Sequence, residues 1–148
     1  MGKTWNEKLT GSKPPHTAVL EKPFGGLRPG ETMFVPSPLL VRDYMQAIPY
    51  GERRTITQMR EEMAARHGAQ ATCPLTASLF ARIAAEAAWE DLQAGKTVSE
   101  ITPFWRLIDA DSAVGRRLSC GEDFIHTARA NEARLASALA AQVSACTT

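Results

Sequence analysis

The sequence predicts a mainly α-helical fold: a winged helix-turn-helix-like domain with a short β hairpin or wing and a C-terminal helix. Apolar residues recur at helical spacing in several segments, and proline or a capping pair begins each of the central helices. An apolar, proline-containing segment follows the third of these helices. We divide the chain into an extended Pro/Gly-rich arm (residues 1–37), a winged-helix domain (residues 38–132) and a C-terminal helical extension (residues 133–148).

Composition and charge are those of an ordinary globular domain. Of the 148 residues, 44% are hydrophobic and 22% are charged, and the net charge is +1. This balance gives no overall attraction to nucleic acid or to an anionic membrane, so any basic face must come from local arrangement. The chain start has no signal-peptide core, no segment has membrane-spanning length, and the three scattered cysteines fit a reducing compartment. We therefore expect a cytoplasmic protein with no membrane partner.

The first 37 residues combine Pro, Gly and Lys with few periodic apolar positions. Turn formers at residues 13–15, 22–26 and 28–30 interrupt any regular pattern, so we expect an arm rather than a folded unit. The short apolar segment at residues 33–35 is expected to dock this arm onto the body.

Three helices are expected between residues 38 and about 92. Pro38 suits the first turn of the first helix, which ends near residue 48. Thr55 and Gln58 have the spacing of a capping box, which begins a second helix that runs to about His67. Pro74 suits the start of the third helix. The buried stripe expected on this third helix consists of Leu79, Phe80, Ile83, Ala84 and Ala87.

The segment from Val98 to Asp109 is expected to contain a strand and a turn, because Pro103 lacks an amide donor and an apolar pair follows it. If the second and third helices form a helix-turn-helix, this segment would be its wing. A turn at residues 109–112 and an irregular stretch around Arg116 precede a closing helix. The apolar stripe of that helix, which offers a surface for self-association, consists of Leu135, Ala136, Leu139, Ala140 and Val143.

Residues for hydrolysis, metal binding or cofactor binding do not cluster in the sequence. His16, His67 and His126 lie apart from one another and from the cysteines, and we interpret each as a surface or helix-end residue. The glycine pair at residues 25–26 lacks the strand-to-helix context of a phosphate loop. We therefore expect no metal and no cofactor.

Cys73 directly precedes the third helix, where exposed N–H groups and the helix dipole favour a thiolate. Two interpretations remain open. We favour a small buried residue at the start of the helix, and the alternative is a reactive thiol in a thiol-dependent enzyme.

Four features occur in order along the chain: IPYGE at residues 48–52, the helix start at residues 55–58, the helix that begins at Pro74, and PFWRLI at residues 103–108. Together they resemble the C-terminal DNA-binding domain of the alkylguanine-DNA alkyltransferases and of the alkyltransferase-like proteins, over about residues 38–132. The resemblance implies a winged helix-turn-helix that binds the DNA minor groove through its recognition helix and flips a damaged guanine into a pocket.

In the repairing members of that family, the cysteine of a Pro-Cys-His-Arg motif accepts the alkyl group. Pro103 and Arg106 match the proline and arginine, whereas Phe104 stands at the cysteine and Trp105 at the histidine. Neither aromatic accepts an alkyl group or relays a proton, so the resemblance implies a protein without alkyl transfer. Cys120 is too distant in the chain to be taken as a substitute. The expected base pocket, whose aromatic rings would stack on a base, consists of Pro103, Phe104, Trp105, Arg106 and Ile56.

Three other positions depart from the family pattern. Ile56 stands in the slot of a tyrosine that helps to rotate the nucleotide, and Ser78 in the slot of an intercalating arginine, with Arg82 one turn further on. Asp123 falls near the family's supporting glutamate but has no histidine to orient. The residues expected to contact the DNA backbone are Arg53, Arg54, Thr76, Ser78 and Arg82.

Acidic residues in the third helix weigh against DNA binding. Glu86, Glu90 and Asp91 lie in its C-terminal half and would repel phosphates if they faced a duplex. The leading hypothesis is a non-catalytic protein that binds double-stranded DNA and senses damaged or alkylated sites. The alternative is a scaffold or protein-interaction module that kept the fold and lost DNA binding.

Overall fold

The computed structural model of the protein describes residues 2–146, and the side chains of residues 2–142. The chain is mainly helical, as the sequence predicts, and it also contains one small three-stranded sheet. The helices are α1 (Trp5–Thr10), α2 (Pro38–Ala47), α3 (Ile56–Arg66), α4 (Pro74–Gln93), α5 (Ala113–Arg117) and α6 (Glu122–Cys146). The strands are β1 (His16–Val19), β2 (Thr32–Val35) and β3 (Ala71–Thr72), and two 3-10 turns lie at Val98–Glu100 and Phe104–Arg106.

The starts of α2 and α3 are encoded by local hydrogen bonds, which is why the sequence predicts them correctly. Pro38 is the first residue of α2, and the Ser37 hydroxyl accepts the amide of Leu40 at 3.1 Å. At α3, the Thr55 hydroxyl accepts the amide of Gln58 at 3.0 Å, and the Gln58 side chain accepts the Thr55 amide at 2.8 Å. The predicted capping box is therefore complete.

The buried face of α4 differs from the predicted stripe. Ile83, Ala84 and Ala87 are buried as predicted, whereas Leu79 is 52% exposed. The fully buried positions nearest to Leu79 are the alanines at 77, 81 and 84. These positions recur at the spacing of one helix face. Small side chains let α1 and α2 pack closely against α4, so the core contact is made by alanines and the larger Leu79 lies outside it.

The N-terminal region is not the extended arm that we expected. The carboxylate of Glu90 on α4 accepts the amides of Trp5 and Asn6, both at 3.0 Å, and so holds the start of α1. β1 pairs antiparallel with β2, and β2 pairs parallel with β3. Phe34 on β2 is 2% exposed, which confirms that residues 33–35 dock onto the body. Turn formers near β1 and β2 interrupt the local pattern that would predict these strands, whereas the partners of α1 and β3 lie far away in the chain.

The short link between α3 and α4 is fixed on both sides. The Cys73 amide donates to the carbonyl of Phe34 at 2.8 Å, which attaches the link to β2. The Thr72 hydroxyl donates to the carbonyl of Arg60 at 2.7 Å, which attaches it to α3. These bonds hold α3 and α4 in one relative orientation.

The predicted strand between residues 98 and 109 is wrong, because this segment forms the two 3-10 turns and no strand. Its backbone amides bond locally: the carbonyl of Phe104 accepts the amides of Leu107 at 3.1 Å and Ile108 at 2.9 Å. A wing directly after α4 is therefore absent from this segment. The turn at residues 109–112 is present, since the Ser112 amide donates to the Asp109 carbonyl at 3.1 Å.

The last helix crosses the proposed boundary at residue 132 without a break. Within the predicted apolar stripe, Leu135 is 47% and Leu139 57% exposed. Val143, the last stripe residue, lies outside the described side chains. Among residues 2–146, the structure contains no helix whose length and hydropathy would let it span a bilayer.

Candidate nucleic-acid interface

The segment that matches the alkyl-acceptor motif forms a tight 3-10 turn with its aromatic side chains inside. Phe104 is 0% and Trp105 3% exposed. The two rings meet edge to face with centroids 5.3 Å apart, and Phe104 also stacks on Phe124 at 5.8 Å. Aromatic pairs at these separations add to the stability gained by burial alone. Phe104 is therefore part of the core, and its ring lines neither of the two cavities described below.

Arg106 connects three parts of the fold. Its guanidinium makes a forked ion pair with the carboxylate of Glu132 on α6, with contacts of 2.7 to 3.1 Å. A third nitrogen donates to the carbonyl of Ile48 at 2.9 Å, just after α2. The Gly51 amide donates to the same carboxylate at 3.2 Å. Pairs with this forked geometry have strong orientational preference, so the arginine of the motif fixes the loop after α2 against α6.

Glu132 is a residue that sequence reasoning missed. Asp123, which we placed near the family's supporting glutamate, is exposed on the first turn of α6 and does not face the motif. A usable signal was present: Ile125, Ala128 and Glu132 lie at helical spacing on one face of α6, and all three are buried. A carboxylate on a buried helix face requires a charged partner, which here is Arg106.

The pKa of the Glu132 carboxyl lies below its ordinary value. Burial by itself raises this pKa, but the hydrogen bonds from Arg106 and from the Gly51 amide, together with the arginine charge, outweigh burial. A carboxylate whose folded-state pKa is depressed contributes stability above its unfolded pKa, about 4.3. That contribution is lost as the pH falls through the folded-state pKa.

This linkage gives a pH-dependent prediction for Glu132→Gln. The difference in free energy of unfolding between wild type and variant, measured by urea unfolding, should be constant between about pH 6 and 8. It should shrink below about pH 4.5, because a protonated glutamate resembles glutamine. A difference that stays unchanged down to about pH 3 would contradict the assigned charge state.

The arginine cleft lies at the start of α3. It is a cavity of about 430 Å³ lined by residues 53–58 together with Leu107, Asp109, Ser112 and Arg129. It brings together Arg53 and Arg54, both predicted to contact DNA, with Ile56, which we had assigned to the base pocket. Arg129 of α6 also lines it, although no local sequence pattern places that residue near α3.

The three arginine side chains of the arginine cleft differ in the hydrogen bonds and ion pairs that they form. Arg129 donates from Nε to the Trp105 carbonyl at 2.6 Å, and its Nη1 lies 3.7 Å from a carboxylate oxygen of Asp109. Arg54 contacts the carboxylate of Glu52 at 3.2 Å, and its amide donates to the Arg106 carbonyl at 2.8 Å. Among the described side chains, Arg53 forms no ion pair.

The other predicted DNA contacts lie elsewhere. Thr76, Ser78 and Arg82 are half-buried on α4 and line neither of the two cavities. The guanidinium carbon of Arg82 is 5.4 Å from the ring centre of Trp5, so this side chain packs against α1. The predicted arginines therefore do not share one face. Arg53 and Arg54 border the cleft, and Arg82 does not.

The acidic residues of α4 do not form an exposed repulsive surface. Glu86 is 2% exposed, and its carboxylate accepts the amide and hydroxyl of Ser119 at 2.9 and 2.7 Å. Glu90 holds the start of α1, and the Asn6 side chain donates to Asp91 at 3.1 Å. These carboxylates fix other parts of the chain onto α4.

A second cavity, which we call the Trp105 cavity, lies beside the motif and measures about 540 Å³. Its walls are residues 98–101, Pro103, Trp105, Arg106, Gln46, Tyr50, Ala128, Asn131, Glu132 and Leu135. Three predicted base-pocket residues, Pro103, Trp105 and Arg106, line this cavity, while Ile56 lines the arginine cleft. The predicted base pocket is thus divided between two cavities, and Phe104 belongs to neither.

The structure describes two cysteine side chains, Cys73, which is buried, and Cys120, which is partly buried. Cys73 precedes the first residue of α4, as predicted, and is 4% exposed. Burial, with a smaller contribution from the charge of Glu86, raises the pKa of the Cys120 thiol to about 11. That thiol is therefore protonated at neutral pH. Within the described side chains, no three His, Cys, Asp or Glu residues come close enough together to hold a metal ion.

Comparison with known proteins identifies no relative of this chain. No protein-family model matches the chain, and neither the curated proteins nor the solved structures contain a match. The resemblance to alkyltransferase-like proteins rests on the motif residues alone and stays a prediction.

Proposed function

We propose that this protein binds double-stranded DNA through the arginine cleft and does not transfer alkyl groups, as its resemblance to alkyltransferase-like proteins implies. The main observation in support of the proposal is that Arg53, Arg54 and Arg129 line one cleft at the start of α3. Clustered cations bind the phosphate backbone even when the net charge of a protein is near zero.

In this proposal α3 and α4 are the two helices of a helix-turn-helix. The bonds of Thr72 and Cys73 keep the link between them rigid, as a docking element requires. A wing at residues 98–109 is no longer part of the proposal. The β1–β2 hairpin, which pairs with the link through β3, is the wing-like element that remains.

The burial of Phe104 supports a role without alkyl transfer. By the resemblance, Phe104 stands in the chain at the position of the family's acceptor cysteine, and its buried ring is packed among aromatic side chains. Stacking of a base on Phe104 is not retained in the proposal, because this ring has no face at a cavity. Trp105 is 3% exposed and is not retained for stacking either, whereas Tyr50, which lines the Trp105 cavity and is 47% exposed, can stack on a base.

Titration of the protein against two labelled duplexes tests the proposal. One duplex contains a single alkylated guanine, and the matched duplex contains guanine at the same position. At about 50 mM salt we expect both to bind, because contacts with phosphates do not depend on the base. The protein mass after incubation with the alkylated duplex should be unchanged. A mass increase equal to the alkyl group would contradict the non-catalytic assignment, and failure to bind either duplex would exclude DNA binding.

A second candidate function, protein interaction through α6, is supported by a separate observation. Leu135 and Leu139 are about half exposed and lie one turn apart on this helix. Exposed leucines at this spacing form an apolar stripe that a second helix can cover. Failure of both duplexes to bind would favour this alternative, in which the α3–α4 pair serves only as a scaffold.

A further inference from the structure

The arginine cleft carries more positive charge than the groups around it neutralise. Of its three arginines, Arg54 contacts Glu52 at 3.2 Å, and Arg129 lies 3.7 Å from Asp109. The Asp109 carboxylate is 61% exposed, and its distance from Arg129 exceeds hydrogen-bond length, so it neutralises that arginine only partly. Arg53 forms no ion pair among the described side chains. An excess of positive charge therefore remains in a concave site.

Arg129 is held in place before any ligand binds. Its side chain is 12% exposed, and the 2.6 Å bond to the Trp105 carbonyl fixes the guanidinium. Burial lowers the pKa of Arg129; Asp109 opposes this effect and the charge of Arg53 adds to it. Repulsion between the two arginines is relieved when an anion lies between them. A fixed guanidinium also loses little side-chain entropy on binding.

The chain around the two arginines adds further donors. The first amides of a helix have no acceptor within the helix. At α3 the Thr55 hydroxyl satisfies the amide of Gln58, and the Thr55 carbonyl accepts the amide of Met59. Ile56 and Thr57, whose amides belong to the same first turn, are among the residues that line the cleft.

We propose that the arginine cleft is a phosphate-binding subsite, in which Arg53 and Arg129 hold one phosphate group at the start of α3. The planar fork of a guanidinium matches two phosphate oxygens, and two such forks can contact the same tetrahedral group. This inference deepens the proposed function and rests on it for the source of the phosphate, a DNA phosphodiester. A free phosphate monoester presents the same chemistry.

Arginine Nε–H signals in nuclear magnetic resonance spectra of the full chain test the subsite directly. During titration with inorganic phosphate, the signals of Arg53 and Arg129 should shift saturably, while that of Arg42, which lines neither cavity, should not. Arg53→Gln should weaken phosphate binding about tenfold, because it removes charged hydrogen bonds, and Arg53→Lys should recover part of that loss. If the Arg53 and Arg129 signals do not saturate, or if they move no more than Arg42, the subsite proposal is overturned.

Duplex binding, measured separately, distinguishes this proposal from the proposed function. Saturable phosphate shifts together with weaker duplex binding by Arg53→Gln support both. Saturable shifts in a protein that binds no duplex support the subsite, assign it to a free phosphate monoester and overturn the DNA proposal. Duplex binding without phosphate shifts overturns the subsite and leaves the DNA proposal intact.

Discussion

Replacement of Arg106 by methionine is expected to lower the free energy of unfolding by about 3–5 kcal/mol, the usual cost of removing one partner from a buried ion pair. The side chains of Arg106 and Glu132 are 13% and 9% exposed, so the carboxylate left behind cannot be solvated well. The carbonyl of Ile48 would also lose its donor. Urea unfolding followed by circular dichroism measures the effect.

Two further variants distinguish the cost of leaving the Glu132 carboxylate buried and unpaired from the general effect of losing an arginine. Arg42→Met removes a more exposed arginine, which pairs with Asp43 at 2.9 Å, and should cost no more than about 1 kcal/mol. Arg106→Met combined with Glu132→Leu should recover most of the loss, because two apolar side chains leave no charge buried. A cost below about 1 kcal/mol for Arg106→Met alone would show that the pair is not effectively buried.

Replacement of Phe104 by alanine should be about as damaging, at about 3–5 kcal/mol, because a large apolar side chain is removed from a closed core. Phe104 is 0% exposed and contacts the rings of Trp105 and Phe124. The same unfolding measurement applies. Leu79→Ala, on the exposed side of α4, is the control and should change stability by about 0.5 kcal/mol or less. Equal effects of the two substitutions would mean that Phe104 is not a core residue.

The parts of the fold that the sequence predicts correctly are those determined by neighbouring residues. Pro38, the Thr55–Gln58 pair and Pro74 each start a helix through contacts within one turn. β1 and β2 were missed because turn formers between them interrupt the sequence pattern, and β3 was missed because its partner β2 lies far away in the chain. The strand expected around Pro103 was wrong for a related reason. An apolar segment becomes a strand only if a partner lies beside it, and this segment satisfies its amides locally.

The residues of the candidate site likewise divide into those that local sequence predicts and those that only tertiary packing brings together. Arg53 and Arg54 were proposed from the sequence as DNA contacts, and both lie at the arginine cleft, beside a helix start that neighbouring residues define. Arg129 and Glu132 were missed, because each contacts residues 105–106, which lie far from α6 in the sequence. These contacts form only when α6 packs against the motif. Arg82 was grouped with the wrong arginines because the position of α1 on α4 follows from tertiary packing.

The most direct test of the account is the salt dependence of binding to an unmodified duplex. The logarithm of the binding constant should fall linearly with the logarithm of salt concentration, and Arg53→Gln/Arg54→Gln should reduce the slope by about 1.8, or about 0.9 for each lost phosphate contact. Arg42→Gln, which removes one charge from a residue outside the cleft, should leave the slope unchanged. A double variant with the wild-type slope, or a wild-type protein that binds no duplex at about 50 mM salt, would contradict DNA binding through the arginine cleft.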